Sequence, residues 1–281
     1  MLVLNDQAGS FNAEFEAICK SNAPEATIGS AKDIPSRPWD LIVACGGDGT
    51  VRIVVNAMIA AQSEARLGIV PLGTANVIAR AMGLPQQPAE ALKIALSGEE
   101  RKVDVGLCHG EAFLLGCGLG LAERFVTTVG HAEKVRLGPL AYIKKLLSER
   151  DAPIVEFSVD QENGSLTMRG VGLVVANMAQ IGPNVKPVAE VSPVDGRLGL
   201  ILLKHSGLWD FARLAARALV GNASADDALD VVSVQKCRIS SKPKVPIQID
   251  GDAVDQEAPF EFEVLPSRLT IRVPSKTDLK A

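Results

Sequence analysis

Residues Asp40 to Thr50 run from an unbroken apolar pentapeptide, Leu41–Cys45, directly into Gly46-Gly47-Asp48-Gly49-Thr50. A short apolar run bounded by glycine reads as a strand buried on both faces. From Val51 to Ala61 apolar residues return at helical spacing, so the glycines form the turn between a buried strand and a helix. That unit belongs to layered α/β architecture, with helices packed on a parallel sheet.

The same unit recurs at Leu67–Pro71, where a strand leads through Leu72-Gly73-Thr74 into a helix over Ala75–Met82, closed by Gly83 and Pro85. Ahead of both stand a strand at Met1–Leu4 and a helix at Ala13–Lys20. Strand–helix alternation of this kind predicts a parallel, Rossmann-like sheet for residues 1–103. Near Val103 the pattern changes to strands: Val103–Cys108, Ala112–Gly118, Ile154–Asp160, Leu166–Ala176, Leu198–Leu203, Val231–Ile239, Ile247–Asp250, Phe260–Val264 and Leu269–Val273. Turn signals such as Glu162-Asn163-Gly164, Asp195-Gly196 and Asp250-Gly251 separate them. Residues 104–281 are therefore expected to form a β-rich second domain, with helices near Pro139–Glu149 and Leu208–Val220 and with room for the last strand to return to the first domain.

Composition narrows the function classes. The chain has 281 residues, 47% of them hydrophobic and 22% charged, but only 4% aromatic, so aliphatic side chains must fill the core. A formal net charge of -4 argues against a nucleic-acid partner. The mean hydropathy of +0.18 raises the question of a membrane span. The longest apolar runs, Ala112–Ala122 and Val171–Ala179, fall short of the roughly 20 residues a spanning helix needs. The N-terminus shows no basic leader and reads as lacking a secretory signal. Cys19, Cys45, Cys108, Cys117 and Cys237 are scattered without CxxC pairs. They read as reduced thiols of a cytoplasmic protein. His109, His131 and His205 show no metal-ligand spacing.

Glycines at a strand-to-helix turn let backbone N–H groups approach a phosphate, and the helix dipole favours the anion. Asp48 is an odd neighbour for a phosphate unless a cation comes with it, and Mg-ATP brings one. A plain strand-to-helix turn, with Asp48 or Thr50 as N-cap, is the competing explanation. In a parallel sheet the turns at Gly46 and Gly73 share one carboxyl edge, where ligands bind in open α/β folds. Neither is a Walker loop, since GxxxxGK[ST] is absent. Gly116-Cys117-Gly118-Leu119-Gly120 lacks the strand–helix context of a dinucleotide site and reads as close backbone packing.

These blocks resemble the diacylglycerol kinase catalytic domain family, which includes bacterial lipid kinases and is related to sphingosine kinases and, more distantly, NAD kinases. The resemblance rests on Asp40 to Thr50 and on Pro71-Leu-Gly-Thr-Ala-Asn-Val-Ile-Ala-Arg80. It continues through Val103-Asp104-Val105-Gly106, Gly138 to Tyr142, Val175-Ala-Asn177, Asp195-Gly196 and Asp250-Gly251-Asp252. It implies an α/β domain and a β-sandwich with a nucleotide cleft between them, using ATP and Mg to phosphorylate a lipid hydroxyl.

Carried onto this chain, the resemblance assigns the nucleotide to Gly46, Gly47, Asp48, Gly49, Thr50, Val51 and Arg52, with Gly73, Thr74 and Asn76 on the second turn. Asn5 and Gly9 occupy the first phosphate-side loop, and Thr27 aligns loosely with a nucleotide contact after the second strand. Ser192, Asp195 and Arg197 match a metal-binding turn in which Asp195 gives a side-chain ligand. Asp252 takes the place of the proton-accepting acid, supported by Asp250. Phosphoryl transfer needs positioning, a cation and a proton acceptor, and a carboxylate serves the last role. An exposed Asp-Gly hairpin turn is the plainer account of the same residues.

The chain departs from the family at Val77, where many members carry Asp, at Val194 and Gly199, and at Asp252, one methylene shorter than the usual Glu. The acceptor is expected to be a diacylglycerol-like lipid, met by transient peripheral contact with a membrane surface, and a homodimer is compatible with the pattern. The basic segment Arg124–Arg150 and the amphipathic stretch Gly207–Val220 are candidates for that contact, or for a solvated face and a buried core helix. Two alternatives remain: a kinase of a soluble acceptor, like the NAD kinases, and a nucleotide-binding regulatory protein with little or no catalysis.

Overall fold

A computed structural model describes residues 1–5, 7–9, 11–121, 152–178, 191–205 and 227–275. Asp6, the segment Arg124–Arg150 and the stretch Gly207–Val220 lie outside these residues. So do the helices expected near Pro139–Glu149 and Leu208–Val220. The chain divides into two compact units: Met1–Val105 with the chain from Leu265 onward, and Gly106–Val264.

The first unit is built on a parallel sheet in the order β2 (Ile28–Gly29), β1 (Leu2–Leu4), β3 (Leu41–Gly46), β4 (Arg66–Pro71). The last part of β16 (Phe260–Val273) completes it, pairing Ile271 with Leu67 in parallel. β3 is buried from Ile42 to Gly46, as its apolar run requires. In α2 (Asp48–Ala60) the buried residues Val51, Val54, Val55 and Met58 recur every three to four positions and form its inner stripe. α1 (Ala13–Asn22) begins at Asn12, whose side chain accepts from the Phe15 amide at 2.8 Å. A short helix α3 (Val77–Ala81) follows the second glycine turn. Pro88–Ser97 forms helix α4, which opens on proline and buries Ala91, Leu92 and Ala95.

The second unit is antiparallel. β8 (Val155–Gln161) pairs with β9 (Gly164–Gly170) and β13 (Lys236–Lys242), and β13 pairs with the first residues of β16. A separate sheet runs β12 (Leu229–Val234), β11 (Leu198–Leu203), β10 (Gly172–Ala176), β7 (Gly116–Gly120), β14 (Ile247–Ile249), β15 (Asp252–Val254). Val155, Phe157, Val159, Ile239, Phe260 and Phe262 meet Leu119, Leu173, Leu198, Leu200 and Ile249 in one buried core. The alternation of buried and half-buried residues along β8 is the period of a strand with one face inward. Fully burying each such aliphatic or phenyl side chain contributes roughly 1.5–3 kcal/mol before entropy is counted.

Four strand boundaries differ from the sequence pattern. Ala112–Gly118 reads as one strand, but Glu111–Phe113 pairs with Glu99–Cys108, whereas Gly116–Gly120 pairs with β10 and β14 on the separate sheet. Leu166–Ala176 reads as one strand but breaks at Val171: β9 pairs with β8, whereas β10 pairs with β7 and β11. Val231–Ile239 likewise divides at Gln235 into β12 and β13, on different sheets. Apolar periodicity continues through such a switch of sheet and so does not reveal it. Conversely, Phe260–Val273 is one strand despite Pro266. There the Ser267 amide leaves the ladder pattern and donates to the buried carboxylate of Asp104 at 2.7 Å. Gly116–Gly120 is strand β7, and a Cβ on Gly116 would stand 2.7 Å from the Val175 carbonyl oxygen, so its glycine serves close backbone packing.

Candidate active site

In the first unit the two glycine turns lie at the carboxyl ends of the neighbouring parallel strands β3 and β4, in register through Gly46 and Pro71. They touch. A Cβ on Gly73 would lie 2.6 Å from the Cα of Gly47, so the backbones approach more closely than any side chain permits. The Leu72 amide donates to the Gly46 carbonyl at 2.9 Å and fixes the register of the contact.

Asp48 bridges the same two turns. Its carboxylate accepts from the backbone amides of Val77 at 3.0 Å and Ile78 at 2.9 Å, the opening residues of α3. It therefore caps a helix 29 residues further along the chain, not the helix it begins. Asn76, the residue before α3, has φ of 47° and closes the second turn with its side chain. Its Oδ1 accepts from the Gly73 amide and its Nδ2 donates to the Gly73 carbonyl, both at 2.9 Å. Asn tolerates this left-handed conformation better than other residues with a side chain.

These bonds account for an acidic residue at the start of α2. The Asp48 charge faces the amide dipoles at the start of α3, which offset it. The N-terminus of α2, meanwhile, is capped by Gly47 with no side-chain bond. Its first-turn amides, those of Asp48, Gly49 and Thr50, are the groups that a phosphate satisfies at a helix start. The residues present thus fit a nucleotide phosphate. Val51 is buried and Arg52 half-buried one step further along α2, and Thr74 is exposed on the second turn.

Asn5 joins this edge. Its Nδ2 donates to Thr50 Oγ1 at 2.9 Å, and its backbone amide donates to the Cys45 carbonyl at 3.0 Å. Gly9 is exposed, with open space where a Cβ would stand. Thr27 is not brought to this edge. Its carbonyl accepts from the Leu2 amide, at the amino end of the sheet, three residues before Asn5. At about 3.3 Å per residue that is roughly 10 Å along the strands from the Asn5 level. It lines a surface concavity of about 380 Å³ with Asp33, Arg37 and Trp39. There Thr27 Oγ1 accepts from the Arg37 guanidinium at 2.9 Å, and that guanidinium lies 3.9 Å over the Trp39 ring. Thr27 directly precedes β2, which is only two residues long.

In the second unit Asp250 and Gly251 form the turn between β14 and β15, with φ of 47° and 99° and Ile249 paired to Asp252. Positive φ at both central residues is the type I′ hairpin geometry that Asp-Gly favours. The Asp250 carboxylate accepts three backbone amides: Leu114 and Leu115 at 2.9 Å and Gly116 at 3.0 Å. It is thereby anchored to the β6–β7 connection, where β6 is Glu111–Phe113. Asp252, one residue beyond the turn, is exposed.

Asp195 and Arg197 lie on the turn that leads into β11. Asp195 is exposed and its Oδ1 accepts from the Arg197 amide at 2.9 Å, while Ser192 is buried. Among the described residues no group of three or more His, Cys, Asp or Glu is placed to hold a metal ion. A cation at this turn would rest on Asp195 and backbone carbonyls, an all-oxygen set of the kind magnesium or calcium takes.

Two further residues bind this architecture together and went unassigned in the sequence. Gln248 is buried, and its Oε1 accepts from the Gly251 amide at 2.6 Å. Asn177 is fully buried, and its Nδ2 donates to the Leu114 carbonyl at 2.9 Å. A polar residue inside an otherwise apolar strand run was the available signal in both cases.

Comparison with known proteins accords with this geometry. Residues 4–108 match the family model described as the diacylglycerol kinase catalytic domain. Residues 122–273 match the one described as the YegS C-terminal NAD kinase beta sandwich-like domain. A Bacillus subtilis protein named diacylglycerol kinase is 30% identical over 252 residues, covering 88% of this chain and 81% of the relative. A Staphylococcus epidermidis diacylglycerol kinase is 26% identical over 247 residues, covering 85% and 76%. The crystal structure of a diacylglycerol kinase from Bacillus anthracis superposes with a TM-score of 0.79 at 24% identity, covering 98% of this chain and 96% of that one, a likeness of fold. With two glycine turns locked together by Asp48 and both domain models matched in order, the chain belongs to the diacylglycerol kinase family of lipid kinases, phosphotransferases that act on an alcohol group.

Proposed function

We propose that this chain uses Mg-ATP to phosphorylate the hydroxyl of a diacylglycerol-like lipid. The observation that carries the reading is the contact of Gly47 with Gly73 beside the N-terminus of α2, whose cap supplies no side-chain bond. Backbone amides at that point hold phosphate oxygens, and Asn5 orients Thr50 beside them. Asp48 keeps the second turn, with Thr74, against the first.

On the second unit Asp252 accepts the proton of the lipid hydroxyl, and the turn at Ser192, Asp195 and Arg197 holds a cation. Asp250 positions the Asp252 turn through its three amide bonds. Bound Mg-ATP supplies the transferable γ-phosphoryl group and a cation to offset charge as it develops. Val77 does not break the scheme at the point where family members carry Asp, since it is the Val77 amide that Asp48 holds. No helix among the described residues is long and apolar enough to cross a membrane. A lipid acceptor then implies transient contact of a cytoplasmic protein with a bilayer surface.

The test incubates the protein with γ-labelled ATP and magnesium against dioleoylglycerol, phosphatidylglycerol, sphingosine, a polyprenol and NAD in separate reactions. Label is expected in the lipid fraction, strongest with dioleoylglycerol. Label confined to NAD, or to none of the acceptors, rejects the lipid-kinase reading.

A further inference from the structure

Asp252 is the third residue after Ile249 and opens the three-residue edge strand β15, which joins the sheet only through β14 and the turn between them. Its position depends on what grips that turn. Inside the turn, Gln248 Oε1 takes the Gly251 amide at 2.6 Å. Behind it, the Asp250 carboxylate takes the amides of Leu114, Leu115 and Gly116, and the Gly116 carbonyl accepts the Asp250 amide at 2.9 Å. That connection is held from its other side by Asn177, which donates its carboxamide to the Leu114 carbonyl and its backbone amide to the Leu115 carbonyl, both at 2.9 Å.

We infer that Gln248 and Asn177 are positioning residues for the Asp252 carboxylate, acting through Gly251 and through Asp250 respectively. The inference rests on the assignment of Asp252 as proton acceptor. Gln248 is buried and Asn177 fully so, and each makes its bond to a backbone group of the turn or of the connection behind it. A buried carboxamide engaged in this way is lost only at the cost of an orphaned backbone group. A displacement of the reacting group by about 1 Å lowers turnover by as much as a hundredfold. Both bonds lie within the second unit, whereas the glycine turns assigned to the nucleotide belong to the first.

The test compares kcat and KM for ATP with dioleoylglycerol in mixed micelles for the wild type, Gln248→Met, Gln248→Glu, Asn177→Ala and Asp252→Ala. Gln248→Met keeps the length of the side chain and removes the acceptor; Gln248→Glu keeps an acceptor for the Gly251 amide. Gln248→Met and Asn177→Ala are expected to lose at least tenfold in kcat with KM for ATP changed by less than threefold, and Gln248→Glu to recover most of that loss. A thermal melt with one cooperative transition shows that each variant is folded. If Asn177→Ala does not fold, the Gln248 pair decides. Gln248→Met with wild-type kcat, beside an inactive Asp252→Ala, overturns the positioning role alone. Asp252→Ala with wild-type kcat overturns the proton acceptor and this inference with it.

Discussion

The carboxylate of Asp48 and the backbone of Val77 are joined across 29 residues, with Oδ2 accepting the Val77 amide at 3.0 Å and Oδ1 the next amide, that of Ile78, at 2.9 Å. One side chain thereby ties the start of α3 to the start of α2. Asp250 does the same in the second unit, where it gathers the amides of Leu114 to Gly116. In both Asp-Gly dipeptides the aspartate is a clasp on a distant stretch of backbone.

Asp48→Ala removes two charge-assisted bonds, each contributing about 1.5–3 kcal/mol, and leaves two helix-start amides to water. The variant is expected to melt several degrees below the wild type and to bind a fluorescent ATP analogue at least tenfold more weakly. Asp48→Asn, which retains one acceptor oxygen, should fall between them in the same titration.

Gly73→Ala places a methyl group 2.6 Å from the Gly47 Cα, and only backbone movement relieves it. Overpacking of this kind costs about 1–3 kcal/mol. Nucleotide titration should show affinity reduced by an order of magnitude or more, whereas Gly9→Ala, where a Cβ meets open space, should change stability little.

The α/β half was legible because Leu41–Cys45 and Leu67–Pro71 are apolar, almost wholly buried runs that each lead into a glycine turn, so strand, turn and helix all leave local marks. The interlocking of their turns was not legible, since it depends on the spatial neighbourhood of Gly47 and Gly73. The bond of Asp48 to the second turn was not legible for the same reason: its partners lie 29 and 30 residues away. In the β-rich half single strands were visible, but the change of sheet at Val171 and Gln235 was hidden within continuous apolar alternation. Thr27 stands beside a two-residue strand that offers little sequence pattern to read.

Asp250 and Asp252 should separate in a calorimeter. Asp250→Ala orphans three amides and is expected to lower Tm by about 5–10 °C, near 2–4 °C per kcal/mol for a chain of this size. Asp252→Ala, at an exposed position, should shift Tm by less than about 2 °C, within the small effect of surface substitutions.

All five cysteines are buried and free of disulfides. Burial pushes the Cys237 thiol up to about 12. A hydrogen bond to the Cys19 thiol, then burial, raises Cys45 well above the ordinary range, and burial does the same for Cys117. Cys19 is held below its ordinary value by its bond to Cys45. Because thiolate is the reactive form, iodoacetamide at pH 8 is expected to leave the folded protein unlabelled, with Cys19 the first to react as denaturant is added and all five labelled on unfolding. Mass spectrometry of the alkylated protein reads the order.

The central claim is phosphoryl transfer to a lipid hydroxyl with Asp252 as proton acceptor. Its most direct measurement is a single-turnover reaction of saturating enzyme with γ-labelled Mg-ATP and dioleoylglycerol, run for wild type and Asp252→Ala after both have been shown to bind the nucleotide. The wild type is expected to form labelled phosphatidic acid and Asp252→Ala to form it at least a hundredfold more slowly with unchanged nucleotide affinity. Equal rates in the two proteins, or no labelled lipid from a wild type that binds ATP, would contradict the account.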